Sequence, residues 1–262
     1  MKNNLQNILI RLFITLELIG QSSCIIISTP VAPTHMATLP SVSQGLTLTD
    51  TAISETGVSP AYSLSALVPA LTASDDVRVL QFNQQMEVLV EQEVDSFKQS
   101  LIGAPNPSIA MGSYFDLNYS LVSARGDILS LKLKVASYHD GAAHPFQFSR
   151  TFTFNLATGH QVNLDQLFLP GMNYLQVLSD YCKTELERRD IAFGASSIGA
   201  DPNPDNYRNW NISADGLEIT FDEYQVAAYA AGPQVVIIPY AKLAGVIDLK
   251  GPLEGYLPKK NE

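Results

Sequence analysis

Between Arg11 and Arg78 the chain has no Lys or Arg at all. Basic residues are scarce throughout, 16 against 26 Asp and Glu in 262 residues, for a formal net charge of -10 and an isoelectric point near 4.8. A nucleic-acid binder needs a surplus of Lys and Arg on one face, so that class is excluded. Two cysteines cannot build a disulfide scaffold. No uninterrupted apolar run reaches the ~20 residues that a bilayer-spanning helix needs. Catalytic signatures are missing as well: there is no G-x-S-x-G elbow, no P-loop, no dinucleotide-binding glycine pattern after a strand, no paired C-x-x-C and no H-E-x-x-H. Hydrolase and nucleotide readings lose their usual warrant. What the chain does have is 46% hydrophobic residues, ample for a packed core at this length, so disorder throughout is excluded.

The charge gap begins at the N-terminus. Lys2 and Arg11 precede an apolar stretch from Leu12 to Gly20, interrupted by Glu17, and then the small residues Ser22 and Ser23 before Cys24. A short basic stretch, an apolar stretch and small residues make up a secretory signal, with a buried first helix or strand as the alternative. Cys24 after two serines resembles the site at which bacterial lipoproteins are cleaved and lipidated, although Gln21 stands where such sites usually carry Leu. Lipid attachment at Cys24 and cleavage further on therefore both stay open. From Ser22 to Thr72 the chain holds 17 Ser or Thr and prolines at 30, 33, 40, 60 and 69. Such a segment buries little apolar surface per residue, so its first part is expected to be a flexible tether. The later part, from Gly45 to Leu71, has the apolar residues for one or two strands.

From Ser74 to Leu101 the pattern is that of a long helix. Ser74 is the expected N-cap, Asp75 and Asp76 suit the positive helix start, and Gly103 and Pro105 end it. Val79, Phe82, Met86, Val90, Val94, Phe97 and Leu101 recur at spacings of three and four, one apolar stripe. Three alternating runs follow, around Phe115–Leu121, Leu129–Val135 and Phe146–Leu156, with Arg150 the polar exception on the apolar side of the last. Period two means strands with one wet face, and the breaks at Arg125-Gly126-Asp127, His139-Asp140-Gly141 and Thr158-Gly159 read as hairpin turns. A second helix is expected from Asn173 to Arg189. Strands at Tyr207–Ser213, Leu217–Phe221 and Gln234–Ile238 follow, and then a short helix from Pro239. The fold class is α+β, an antiparallel sheet meander with a long helix and a second helix packed on one face, one sheet being the simplest arrangement. The expected organisation is a signal at 1–24, a tether at 25–44, the folded domain at 45–250 and a C-terminal tail at 251–262.

Residues that could carry chemistry are few. His139 and His144 flank a tight turn with Asp140 between them, but a spacing of five is not a familiar metal-ligand spacing and a third ligand would have to come from elsewhere, so no metal and no cofactor is expected. Glu185 and Glu187 lie two apart on a helix and cannot form a carboxylate pair. Asp222 and Glu223 begin an aromatic loop, Tyr224-Gln225-Val226-Ala227-Ala228-Tyr229-Ala230-Ala231-Gly232-Pro233. Either the loop tucks its tyrosines onto the sheet, or it is a recognition loop, because Tyr presents a rigid amphipathic surface at low entropic cost.

Several ordered stretches resemble the RsiV-type extracytoplasmic domain. They are Tyr138-His139-Asp140-Gly141-Ala142-Ala143-His144-Pro145, the Phe154-Asn155-Leu156-Ala157-Thr158-Gly159 strand end, Asn163-Leu164-Asp165-Gln166-Leu167-Phe168, and the run from Gly216 through Tyr224 to Tyr240. Ala200-Asp201-Pro202 and Asn206-Tyr207-Arg208-Asn209-Trp210 are also similar to the secreted mycobacterial immunogen family that shares this domain. The resemblance spans roughly Tyr62 to Ile247. It implies a secreted or membrane-tethered α+β domain, mostly of unknown function. In the anti-sigma factor of the family the outer domain binds lysozyme, and a related domain is attached to some peptidoglycan deacetylases. Only about eleven residues precede the apolar run here, too few for a sigma-binding segment, and a deacetylase catalytic domain is not in this sequence. The expectation is therefore an extracytoplasmic, non-catalytic domain, secreted or lipid-anchored, binding a basic protein such as lysozyme or peptidoglycan fragments and meeting the membrane only through its N-terminus. The candidate ligand-binding residues are His139, Asp140, His144, Tyr224 and Tyr229. The alternatives are a cell-wall-acting enzyme built on the histidines or an unrecognised carboxylate, and a structural surface protein. Residues 73 to 262 hold 14 basic and 23 acidic residues, so the acidity belongs to the part that would meet a partner.

Overall fold

The computed structural model describes residues 37–38, 46–72, 74–103, 112–189 and 198–257. The expected signal, the lipidation site at Cys24 and nearly all of the expected tether lie outside the described residues. Of the tether, Ala37–Thr38 (β1) pairs with Thr47 and Leu48 at the start of the next strand.

The Ser/Thr-rich stretch forms two strands, β2 (Thr47–Val58) and β3 (Ala61–Thr72), as a long antiparallel hairpin. The chain then crosses over through α1 (Val77–Ser100) to β4 (Ser113–Arg125), which lies parallel to β3. β4, β5 (Ile128–Tyr138), β6 (Phe146–Asn155) and the short β7 (His160–Gln161) continue as the expected antiparallel meander. Strand order thus follows chain order from β1 to β7 in one seven-stranded sheet.

Helix α1 covers one face of this sheet. Its six stripe residues from Val79 to Phe97 are buried against Leu129, Leu131, Leu133 and Val135 of β5 and Phe152 and Phe154 of β6. Phe82 meets Phe152 and Phe154 edge-on, with centroids 5.9 and 5.5 Å apart, the arrangement that the ring quadrupoles favour. Arg150, the polar exception on this face, donates to Glu93 of α1 at 2.5 Å and lies 4.5 Å over the Phe148 ring. The helix is capped by Asp76 rather than by Ser74. The Asp76 carboxylate accepts the Arg78 N–H at 2.9 Å and pairs with the Arg78 guanidinium, while the Ser74 hydroxyl accepts the Asp76 N–H. A charged acceptor with a cationic partner is the stronger cap.

The α+β class is as expected, but the strands after the second helix, α2 (Tyr174–Arg188), do not extend the sheet. They form a second one, ordered β10 (Gln234–Ile238), β9 (Leu217–Phe221), β8 (Trp210–Ile212), which docks on the polar face of the first. The physical reason lies in polar groups that the alternation of β5 turns away from α1. The Asn211 amide donates to the Ser130 hydroxyl and the Leu131 carbonyl, both at 2.9 Å, and Ile212 N–H donates to the same hydroxyl at 3.1 Å. Lys132 pairs with Glu218 across the two sheets, their side chains only 8% and 14% exposed. The apolar side chains of the small sheet, Ile212, Leu217, Ile219, Phe221, Val236 and Ile238, are buried in a second core with Leu178, Cys182 and Leu186 of α2. The two helices therefore belong to separate cores instead of lying together. The Tyr207–Ser213 strand is shorter than expected because Pro204–Tyr207 takes a 3-10 turn, with Pro204 in its first turn. Residues 251–257 also differ from expectation. Leu253 and Tyr256 are buried in the second core, next to the short α3 (Tyr240–Leu243), and the Tyr256 hydroxyl bonds Ser123 Oγ at 2.8 Å. This stretch belongs to the fold, not to a tail.

Candidate functional site

The β5–β6 turn divides the expected site in two. Gly141 sits at φ 87°, the left-handed backbone that a tight reversal requires. Before it, Asp140 serves the scaffold: its carboxylate accepts Gly112 N–H at 3.1 Å and its own N–H donates to Ser113 Oγ at 2.9 Å. His139 turns back toward α1, its Nε2 2.6 Å from Ser100 Oγ and its ring 5.6 Å from that of Phe97. A serine beside a histidine invites comparison with a nucleophile and its base. Ser100, however, is the last residue of α1 and donates to the Phe97 carbonyl at 2.5 Å. The negative end of a helix disfavours the oxyanion that such chemistry must stabilise.

After the turn, His144 meets the aromatic loop. Its Nδ1 lies 2.8 Å from the Pro145 carbonyl, its Nε2 lies 3.0 Å from the Tyr224 hydroxyl, and its ring stacks on Tyr229 with centroids 3.9 Å apart at 26°. A carbonyl can only accept, so Nδ1 carries a proton toward Pro145, while the Tyr224 hydroxyl, able both to donate and to accept, completes the bond at Nε2. Tyr229 donates to the same Pro145 carbonyl at 2.9 Å. Tyr224 and Tyr229 lie near parallel at 5.6 Å. Tyr224 holds φ 64°, the one non-glycine residue at positive φ among those described, and is 57% exposed. Two loops some eighty residues apart in sequence are thereby locked into one ring cluster of His144, Tyr224 and Tyr229. His139 and Asp140 are not part of it.

Two residues that the sequence did not single out extend this surface. Tyr114 and Tyr138 are directly opposed on β4 and β5 and stack at 6.0 Å and 24° on the sheet face that α1 does not cover. Ser137 of β5 opposes Phe146 of β6, so Tyr138 stands at the start of the same turn that carries His144 and Pro145, and partial burial pushes the Tyr229 phenol up, with Glu223, Tyr224 and Tyr114 adding to it. On the other side, one residue beyond Pro145 and one before Tyr224, begins a cleft of about 310 Å³ whose lining includes Phe146, Phe148, Arg150, Arg208, Asp222 and Glu223.

The buried acids of this cleft have a structural task. Away from its short pairing with β7, the outer edge of β6 presents N–H groups that no strand among the described residues meets. Glu223 accepts that of Gln147 at 2.9 Å and Asp222 that of Ser149 at 2.8 Å, so the carboxylates stand where strand carbonyls would. Asp222 also accepts from the Asn209 amide at 3.0 Å and faces Arg208 at 3.4 Å. Sequence reasoning placed these two acids only at the start of a loop; their adjacency after an apolar strand was the available signal. A larger groove of about 520 Å³ lies at the opposite end of β4 and β5, lined by Arg125, Asp127, Lys250, Glu254 and Tyr256 among others, and holds none of the expected residues. Among the described residues no three His, Cys, Asp or Glu side chains come together as a metal site would need, and no helix is long and apolar enough to cross a membrane.

Fold and surface together define an α+β domain with two cores and a partly exposed ring cluster formed by the β5–β6 turn and the loop after β9. Residues 165–241, from the turn before α2 to the start of α3, match the model of a family described as protein of unknown function (DUF3298). The chain is similar to the peptidoglycan-N-acetylmuramic acid deacetylase PdaC of Bacillus subtilis, 25% identical over 160 residues that make up 60% of this chain and 34% of that one. An esterase of Mycobacterium tuberculosis is 34% identical over 110 residues, 38% of this chain and 47% of the esterase. The chain thus spans about a third and about half the length of these two relatives. The immunogenic protein MPB64 of Mycobacterium bovis is 22% identical over 194 residues, 72% of this chain and 79% of that one. Crystal structures of DUF3298 family members from Bacteroides fragilis and Pseudomonas aeruginosa share the fold, with TM-scores of 0.58 and 0.59 at 17% and 12% identity. They cover 82% and 83% of this chain and 98% and 99% of their own.

Proposed function

We propose that this chain is an exported, envelope-located domain of the RsiV type that binds a cell-wall or protein ligand without turning it over, and that the ring cluster of His144, Tyr224 and Tyr229 is its recognition surface. The observation that carries this reading is the cluster itself. An exposed aromatic ring gains nothing for a core, yet Tyr224 is held against the half-buried rings of His144 and Tyr229 by hydrogen bonds from two loops, with a non-glycine backbone at φ 64° to do it. Backbone kept in a sparsely populated region by its surroundings is characteristic of binding sites, and rings fixed before binding lose little entropy on it. The names of the relatives agree with an envelope setting, since one acts on peptidoglycan. Titration of the full chain with lysozyme and with muropeptides by calorimetry tests the reading. One of the two is expected to bind, with affinity falling about tenfold in Tyr224→Ala; absence of binding to both at high micromolar concentration would overturn it.

A second reading, a cell-wall-acting enzyme, draws on relatives named deacetylase and esterase. The pair that would carry it is Ser100 and His139. Ester or amide hydrolysis by the full chain that disappears in Ser100→Ala would establish it, against the helix-end argument above.

A further inference from the structure

We propose that the ligand of the ring surface is an uncharged glycan, its pyranose rings lying on the faces of Tyr224 and Tyr229 and running on toward the stacked Tyr114 and Tyr138. The inference rests on the binding reading above and names the chemistry of the ligand.

The first argument is charge. An acidic domain suggests a basic partner, but the acids nearest the rings are turned inward. Glu223 and Asp222 accept the N–H groups of the β6 edge, and Asp140 accepts that of Gly112. On the sheet face beside Tyr114, Asp116 bonds the Asn118 amide, and Lys134, directly opposite Asn118, supplies a charge of the other sign. A cationic partner would find rings there and carboxylates already engaged. In the adjoining cleft the exposed Asp205 is matched by Arg208, so no single sign of charge dominates and charge complementarity at this surface favours a neutral ligand.

The second argument is ring geometry. A pyranose presents a face of C–H bonds, weakly positive, that sits on the negative face of an aromatic ring. The rings occur here as near-parallel stacked pairs, Tyr224 with Tyr229 at 27° and Tyr114 with Tyr138 at 24°, with Tyr224 the exposed ring and the other three half-buried, so a pyranose would continue a stack from its outer face. The third argument is the polar surround. Ser63 and Ser65 of β3 stand exposed in register with Tyr114 and Asp116, Asn118 is exposed on β4, and Arg208, 58% exposed, faces the adjoining cleft. Hydroxyls, an amide and a guanidinium are partners for sugar hydroxyl and acetamido oxygens. Few groups of this kind, placed around an apolar floor, are what a small-molecule site uses to orient its ligand.

Calorimetric titration of the full chain with a β-1,4-linked N-acetylglucosamine hexamer, a cellohexaose control and lysozyme, at about 0.05 and about 0.5 M salt, tests the inference. The expected result is oligosaccharide binding that salt changes less than about twofold, that Tyr224→Ala and Tyr229→Ala each weaken about tenfold, and that Tyr224→Phe, which keeps the ring, largely restores. Circular dichroism confirms that each variant is folded. Binding of lysozyme alone, weakened by salt, overturns the glycan and leaves the recognition surface standing. Oligosaccharide binding that neither tyrosine variant weakens overturns the placement. Binding of none of the three overturns both.

Discussion

Tyr224 shows how one residue can be placed for a purpose other than stability. A side chain at φ 64° crowds its own backbone, at a cost of about 1–2 kcal/mol that glycine does not incur. Both Tyr224→Ala and Tyr224→Gly remove the ring and its bond to His144, and only the second relieves the backbone. Urea unfolding should therefore find Tyr224→Gly more stable than Tyr224→Ala by about 1 kcal/mol; equal stability would mean that the conformation carries no strain. Cys182 is the opposite case. Burial pushes its thiol up to about 12, so it stays protonated and serves the second core as a small apolar side chain. At this scale the sequence was informative about type more than about partner. His144, Tyr224 and Tyr229 could be named from aromatic character in a loop and a turn. That His139 turns to the helix end and His144 to the loop depends on which side of Gly141 each falls, which a turn motif does not reveal.

Among elements, the edge of β6 is the informative one. Unpaired N–H groups on an edge invite association with another chain, and proteins blunt such edges in several ways; here two adjacent carboxylates do it. Loss of the Asp222 side chain leaves the Ser149 N–H and the Asn209 amide without their acceptor, a cost of about 2–3 kcal/mol for buried groups bonded to a charge. Asp222→Ala is expected to lower unfolding stability by that amount in urea, and Asp222→Asn by less, because its amide oxygen still accepts one of the two bonds. A change below about 0.5 kcal/mol for Asp222→Ala would show that water replaces the carboxylate. The two long elements were legible for a local reason. The period of β4 to β6 and the stripe of α1 are set by residues two to four positions apart, which any reading of the chain can see. The partition of the later strands into a second sheet was not legible, since Asn211 finds Ser130 and Glu218 finds Lys132 across some eighty residues.

For the whole molecule the relevant property is the acidic balance and how it responds to pH. Burial pushes Glu55 up, but bonds from Lys98 and Tyr62 outweigh it and hold the carboxyl below its ordinary value. Arg78 holds Asp76 well below the usual range, and Arg188 with Arg189 lowers Glu185 to about 2. A folded-state value below the unfolded one means stability that is present above pH ~4.5 and is lost as pH falls through the folded values. The melting temperature is expected to be nearly level from about pH 7 to pH 5 and to fall below about pH 4, less steeply in high salt because Asp76 and Glu185 are at the surface. A melting temperature that rises steadily on acidification would show instead that relief of the net charge of -10 dominates.

The sequence by itself determined the class of fold, the strands of the meander, the long helix and its buried stripe, and the aromatic character of the loop after Phe221. Each of these is written in short-range patterns, where period and turn chemistry act on neighbouring residues. Only the tertiary structure decided that there are two sheets and two cores, that residues 251–257 are part of the second core, and that His144 rather than His139 joins Tyr224 and Tyr229. Those outcomes depend on polar partners far apart in the chain, a buried Lys132–Glu218 pair and carboxylates standing in for a missing strand. The long stretch without Lys or Arg at the start of the chain ends at Arg78, in the first turn of α1, and β2 and β3, lying inside it, hold their place through the hairpin ladder and the parallel pairing to β4 that α1 brings about.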